Sequence, residues 1–383
     1  MKATLLLHIM ILFLLNGCQA TSEVVSEGGV AEPNAGYGVN TGAVDNSEPG
    51  VIRPATDVAH GVVKVLFATN RKQLGSENCA EAYSGRRGSF GDTKYGYCMV
   101  SIPVGHEVGV IEERRWYQLK EDPDRHVMLL DGQTISKQEF DKLLDLGLVN
   151  KSDSTLLFVH GYNVSFADAA KRTAQMAYDL KFSGVPLFFS WPANGKVLSY
   201  AADEASIEWS EPAFYNFLVD HLSNPKIKKT FLIAHSMGNR AVLSSLARLK
   251  LEHPNLRYKL KEVVLAAPDV DAEQFVDIII PKIADSKAPV TLYASNRDMA
   301  LLTSKRLHFY ERAGDVPVVI KVYGGVEFID ASAVKTDFLN HSYVSESKSV
   351  INDILDLFGG NRPANRSGLR VRETQVGQYW EIK

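Results

Sequence analysis

The chain has 383 residues, 45% of them hydrophobic and 23% charged, a globular balance with room for one large core or two modest domains. Its formal net charge of -3 sets up no global field that would favour nucleic acid or an anionic membrane, so no nucleic-acid partner is expected.

Lys2 precedes the apolar run ATLLLHIMILFLL, and Asn16, Gly17 and Cys18 follow it. A positive start, a short apolar stretch and a small residue ahead of the cut predict a secretory signal over residues 1–17. The run is too short for a comfortable membrane span. Leu15-Asn16-Gly17-Cys18 resembles the lipobox of bacterial lipoproteins, where cleavage precedes a cysteine that is then acylated. The resemblance implies an exported protein with lipidation at Cys18 as its membrane anchor. Gln19, in place of Asp, implies the outer membrane, facing the periplasm. A plain secretory signal with an incidental cysteine is the alternative.

Residues 18–58 lack apolar periodicity and read as a disordered tether. As a flexible coil of about 40 residues it would span on the order of 35 Å. Cys79 and Cys98 are a possible disulfide, worth ~3 kcal/mol if formed. The alternative is two buried thiols acting as small hydrophobes.

From residue 59 to 360 strands and helices alternate, the pattern of an α/β domain. VVKVLFATNR (62–71) and YGYCMVSIP (95–103) are β-rich and expected to pair antiparallel, and HVMLL (126–130) would add a short strand. Ser136 with Glu139 forms a capping box that starts a helix running to about Leu146. Apolar runs at 155–160, 185–191, 229–234, 262–267, 289–294 and 325–330 predict buried strands of a mostly parallel sheet covered on both faces. Helices are expected over 166–180, 203–222 and 238–250. Residues 361–383 read as a polar C-terminal tail whose arginines are solvated, with Val376 to Ile382 packing back on the domain.

Ala234-His235-Ser236-Met237-Gly238 follows one of these strands directly and opens a helix. A nucleophile elbow needs small residues two before and two after its serine, because the strand-to-helix turn is too tight for larger ones. Ser236 is therefore the candidate nucleophile. A serine hydroxyl needs a base, and the base an acid to orient it, in the chain order Ser, acid, His. Of His253, His308 and His341, only His341 falls in a loop after the last strand. Asp298, just past the 289–294 strand, is the favoured acid, and Asp271, past the preceding strand, is the alternative. Backbone amides of Met237 and of Tyr162, in the loop His160-Gly161-Tyr162-Asn163, would form the oxyanion hole. His160 and Asn163 would brace that loop, and Trp191 with the stretch through Tyr200 would wall the pocket.

HGYN with its Ala-rich helix, FSWP, Tyr200 with Asp203, AHSMGNR, LAAPDVD, YASNRDMAL and the late NHSY together resemble one bacterial family within the esterase/lipase-like α/β-hydrolase superfamily. The resemblance implies the α/β-hydrolase fold and places Ser236, Asp298 and His341 at the family's triad positions. It supplies no substrate. The expected activity is hydrolysis of a small carboxylic ester through an acyl-enzyme, with no cofactor and no metal. An acyltransferase with the same triad, and a surface lipoprotein that keeps the fold as a binding scaffold, are the other readings.

Overall fold

The computed structural model describes residues 50–52 and 60–383, apart from 77, 115, 117, 151, 195–198, 286–287, 316–324, 335–342 and 375–376. The signal, Cys18, nearly all of the tether and His341 lie outside the described residues.

The strands are β1 (Gly50–Ile52), β2 (His60–Thr69), β3 (Arg71–Gln73), β4 (Tyr83–Arg87), β5 (Lys94–Pro103), β6 (Leu129–Ile135), β7 (Ser154–Val159), β8 (Val185–Ser190), β9 (Lys229–His235), β10 (Leu260–Ala266), β11 (Val290–Ala294), β12 (Val326–Asp330), β13 (Leu369–Thr374) and β14 (Gly377–Ile382). The main sheet runs β13-β14-β12-β11-β10-β9-β7-β8-β2-β5-β6, with β1 on β2. From β14 to β2 every neighbouring pair is parallel. The antiparallel pairs β2–β5, β5–β6 and β13–β14 flank that block.

The longer helices are α1 (Lys137–Asn150), α2 (Phe166–Asp179), α3 (Tyr200–Ser223), α4 (Asn239–Glu252), α5 (Met299–His308) and α6 (Lys348–Phe358). Alternate residues of β7 divide between two cores. Leu157 and Val159 pack with Phe140 of α1, Phe214 of α3 and Leu246 of α4. Leu156 and Phe158 pack with Ala170 of α2 and Ile354 of α6. With helices on both faces, neither face of a central strand can be polar, and so the strands read as unbroken apolar runs. The capping box forms as expected: Ser136 N–H donates to Glu139 Oε2 at 3.0 Å, and Glu139 N–H to Ser136 Oγ at 3.2 Å.

Three boundaries differ from expectation. Residues 50–52, inside the expected tether, pair antiparallel with Val62–Lys64 as β1. The 126–130 strand is displaced to β6: Val127 is buried, and the ladder continues through the polar Asp131-Gly132-Gln133-Thr134. As a sheet edge, β6 keeps one face in water and needs no apolar run. Gly377–Ile382 pack back on the domain as expected, as strand β14 parallel to β12 with Ile329 opposite Trp380, but the expected solvation of the arginines holds only in part. Arg366 is 2% exposed and donates to Asp353 at 3.2 Å and Glu327 at 3.3 Å. Arg362, partly exposed, pairs with Glu262 and Glu327, and Arg370 and Arg372 lie outside beside Glu381.

Cys79 and Cys98 are joined as a disulfide with Cα atoms 6.6 Å apart, fixing the turn before β4 to β5. A second clamp is ionic. In the loop after β5, His106 lies between Glu112, 2.9 Å from Nδ1, and Asp179 at the end of α2, 2.9 Å from Nε2. Asp179 also accepts the Gly109 amide at 2.8 Å. Burial alone would lower the imidazole pKa, but the two carboxylates overcome it and raise it to about 9. A pKa raised above the unfolded value gives stability that is complete below about pH 6.5 and lost as the pH climbs through 9. Wild type should lose up to about 3 kcal/mol of unfolding free energy over that range beyond what His106→Asn loses. Urea unfolding of both proteins at pH 6 to 9.5 measures the difference.

Candidate active site

The chain leaves β7 for β8 on one side and returns as β9 on the other, so the strand order reverses between β7 and β9. In open α/β sheets such a switch point opens a crevice at the carboxyl ends of the strands. Val159 lies opposite Ala234, and Ala266 opposite His235. The loops after β7, β9 and β10 are therefore neighbours, and the loop after β11 follows them.

Ser236 sits at this point, 3% exposed, between the end of β9 and α4. Its φ is +51°, a left-handed conformation that costs a serine on the order of 1–3 kcal/mol. Asn239 Nδ2 donates to the Ser236 carbonyl at 2.8 Å and to the Ala266 carbonyl at 3.2 Å. The Asp269 amide donates to the same Ser236 oxygen at 3.3 Å. These donors tie the strained turn to β10.

The small residues around the turn have specific neighbours. A Cβ on Gly238 would fall 2.3 Å from the His160 carbonyl oxygen, and one on Gly161 would fall 2.7 Å from Ser236 Cβ. The elbow and the 160–163 loop thus touch through their glycines. Asn163 has φ +59°, and its amide donates to the buried Asp203 of α3 at 3.3 Å. Asp203 also accepts the Asn194 amide at 2.8 Å.

His160 is fully buried beneath the loop. Its ring stacks on Trp191 with centroids 5.1 Å apart, and Trp191 Nε1 donates to the His160 carbonyl at 2.7 Å. Trp191 is itself fully buried, so it braces the loop from below and does not wall a pocket. Tyr200 stands higher, its ring 5.4 Å from that of Tyr162 and its hydroxyl donating to Asp269. Asp269 also receives Ser304 Oγ at 2.7 Å and Arg312 Nε at 2.8 Å. Burial would raise the Asp269 pKa, but Arg312 and Arg240 hold it below the usual carboxylate range.

Both candidate acids cap helices. Asp298 is 1% exposed, four residues past β11, and its Oδ1 accepts the amides of Ala300 at 3.1 Å and Leu301 at 3.0 Å. Asp271 is half-buried and accepts the Gln274 amide at 2.9 Å. It lines a groove of about 1220 Å³ between α3, α4 and residues 270–282, which does not include Ser236. His308, the last residue of α5, faces the Ser304 carbonyl at 2.9 Å and Glu204 at 3.3 Å. Among the described residues no group of three or more His, Cys, Asp or Glu side chains could hold a metal ion.

Residues 136–359, more than half of the chain, match the family described as α/β hydrolases of unknown function, DUF900. The chain belongs to this family. The mostly parallel sheet covered by helices agrees with the fold of that family. An uncharacterized protein of Nostoc sp., alr1448, is 44% identical over 62 residues; the match covers 16% of this chain and only 16% of that relative's length. Among solved structures, a CIB-like hydrolase from Thermoplasma acidophilum is 11% identical, with a TM-score of 0.32, covering 70% of this chain and 94% of its own. The lin2722 product of Listeria innocua is 14% identical, with a TM-score of 0.36, covering 55% and 96%.

The glycine contacts make a test of the elbow geometry. Gly238→Ala should cost at least ~2 kcal/mol, since β7 and the elbow must separate to admit the methyl group. Gly105→Ala, whose Cβ would meet nothing within 4 Å, should stay within about 0.5 kcal/mol of wild type. Chemical denaturation of the two variants checks both values.

Proposed function

We propose that the protein is a serine hydrolase of carboxylic esters, held to a membrane by a lipid on Cys18. The observation that carries the catalytic part is Ser236 with its positive φ, set by close backbone packing at the switch point. That conformation lifts a serine hydroxyl above the sheet at an energetic cost that a helix cap would not need.

In this reading His341 takes the Ser236 proton as the oxygen attacks the ester carbonyl. The amides of Met237 and Tyr162 receive the oxyanion, and Asp298 holds the imidazole tautomer. Collapse of the tetrahedral intermediate expels the alcohol, protonated by His341, and leaves an acyl group on Ser236. Water then releases the acid and restores the serine. Asp298 suits the acid's role better than Asp271 because it is buried just past the carboxyl end of β11, whereas Asp271 faces the groove.

Ser236→Ala should abolish both fluorophosphonate labelling and short-chain p-nitrophenyl ester hydrolysis, with kcat falling by up to ~10⁶. Activity within tenfold of wild type would end the reading. Asp298→Asn should cost on the order of 10⁴ in kcat with the fold retained. Asp271→Asn should change stability by no more than ~1 kcal/mol, because Asn also caps helices. Kinetics with melting curves on both variants decides between the two acids.

The anchor has a separate test. A protein acylated at Cys18 partitions to the membrane fraction, since several acyl chains hold where one does not. Cys18→Ser should move it to the soluble fraction on cell fractionation. A variant that still pellets with the membranes would overturn the lipid anchor and leave the hydrolase reading untouched.

A further inference from the structure

Arg71 lies outside the family-matched residues, yet it reaches the centre of the site. It opens β3, two residues past the end of β2, and is 2% exposed. Its Nε donates to Ser190 Oγ at 2.8 Å. One terminal nitrogen donates to the carbonyls of Ala193 at 2.9 Å and Ser84 at 3.3 Å. The other donates to the Val164 carbonyl at 2.8 Å and meets His160 Nε2 at 3.2 Å. These partners are a hydroxyl, three carbonyls and an imidazole, all uncharged. A buried guanidinium normally sits against a carboxylate that repays its desolvation.

His160 shows what the arrangement fixes. Its Nδ1 faces the Gly161 carbonyl at 2.9 Å, so Nδ1 carries the proton and Nε2 accepts from Arg71. Burial, and then the charge of Arg71, push the His160 pKa well below its ordinary value, which keeps the ring neutral and the tautomer single. Arg71 thus grips residue 160 at one end of the loop and residue 164 at the other. Between them stand Gly161, against Ser236, and Tyr162.

We propose that Arg71 is a positioning residue for oxyanion stabilisation, stapling both ends of the 160–164 loop and setting a fixed positive charge beneath it. The proposal rests on the serine-hydrolase reading of Ser236. Of the opposing charges that act on Arg71, Asp203 is buried and Asp168 exposed, and neither hydrogen-bonds to it among the described contacts, so part of its field remains for the site. A preorganised charge in a dry region acts on a developing oxyanion far more strongly than in water and needs no reorganisation during the reaction.

The test separates transition-state from ground-state effects. Arg71→Lys keeps a charge and loses the fork, and Arg71→Met loses both. Expected are a fall in kcat of about 10–100-fold for Lys and about 10²–10³-fold for Met, with KM within threefold of wild type. Affinity for a trifluoromethyl ketone, which forms a tetrahedral oxyanion on the serine, should fall in parallel with kcat/KM. A merely structural arginine would not make the two losses track one another. Either variant, folded by near-ultraviolet circular dichroism and keeping kcat within threefold, overturns the proposal. If Arg71→Met does not fold, Arg71→Lys alone carries the test under the same criterion. A wild type that neither labels with fluorophosphonate nor cleaves esters sinks the reading of Ser236 itself. A wild type that does both, beside an unaffected Arg71 variant, sinks only this proposal.

Discussion

At the carboxyl end of the sheet, the backbone after β7 and the backbone after β9 approach until no side chain fits between them. Gly238 meets the His160 carbonyl and Gly161 meets Ser236, each closer than a Cβ would allow. This steric constraint sets the rest of the site. The turn at Ser236 takes the left-handed region beside this contact. The donors on the Ser236 carbonyl stabilise a conformation that the residue would not adopt alone.

A contact this tight must be held from below. The support is a buried layer of His160, Trp191, Ser190 and Arg71, joined by stacking and hydrogen bonds. A second brace comes from the side, where Asp203 of α3 ties the Asn163 amide to Asn194. Strands, a helix and the amino-terminal part of the domain therefore converge on five residues of loop. Mobility there would loosen the contact between that loop and Ser236.

Much of this was legible in the sequence because the signals are local. Central strands covered on both faces leave uninterrupted apolar runs, and the strand–turn–helix at Ala234 to Gly238 writes its steric demand in small residues. Ser136 and Glu139 marked the start of α1 for the same reason. What escaped depends on distant pairing. Arg71 reads as one more surface arginine until the fold brings residues 160, 164 and 193 around it. His106 gives no sign of Asp179, 73 positions away. The edge strands β6 and β13, and β14 beside the latter, mix polar with apolar residues and carry charges, so they resemble loop or tail. The charge pattern of Asp298 and Asp271 could not rank them, since both cap helices.

The C-terminal hairpin has a consequence for how the molecule meets its neighbours. By pairing with β12, which reads Val-Glu-Phe-Ile-Asp, it moves the end of the sheet outward to β13. That strand reads Leu-Arg-Val-Arg-Glu-Thr and shows its arginines to water. The opposite end, β6, is interrupted by Asp131 and Gly132. Unpaired backbone at both borders is thus dressed with charge and turn-forming residues, which discourages a second sheet from adding on. Charged borders of this kind bear on colloidal behaviour and not on catalysis.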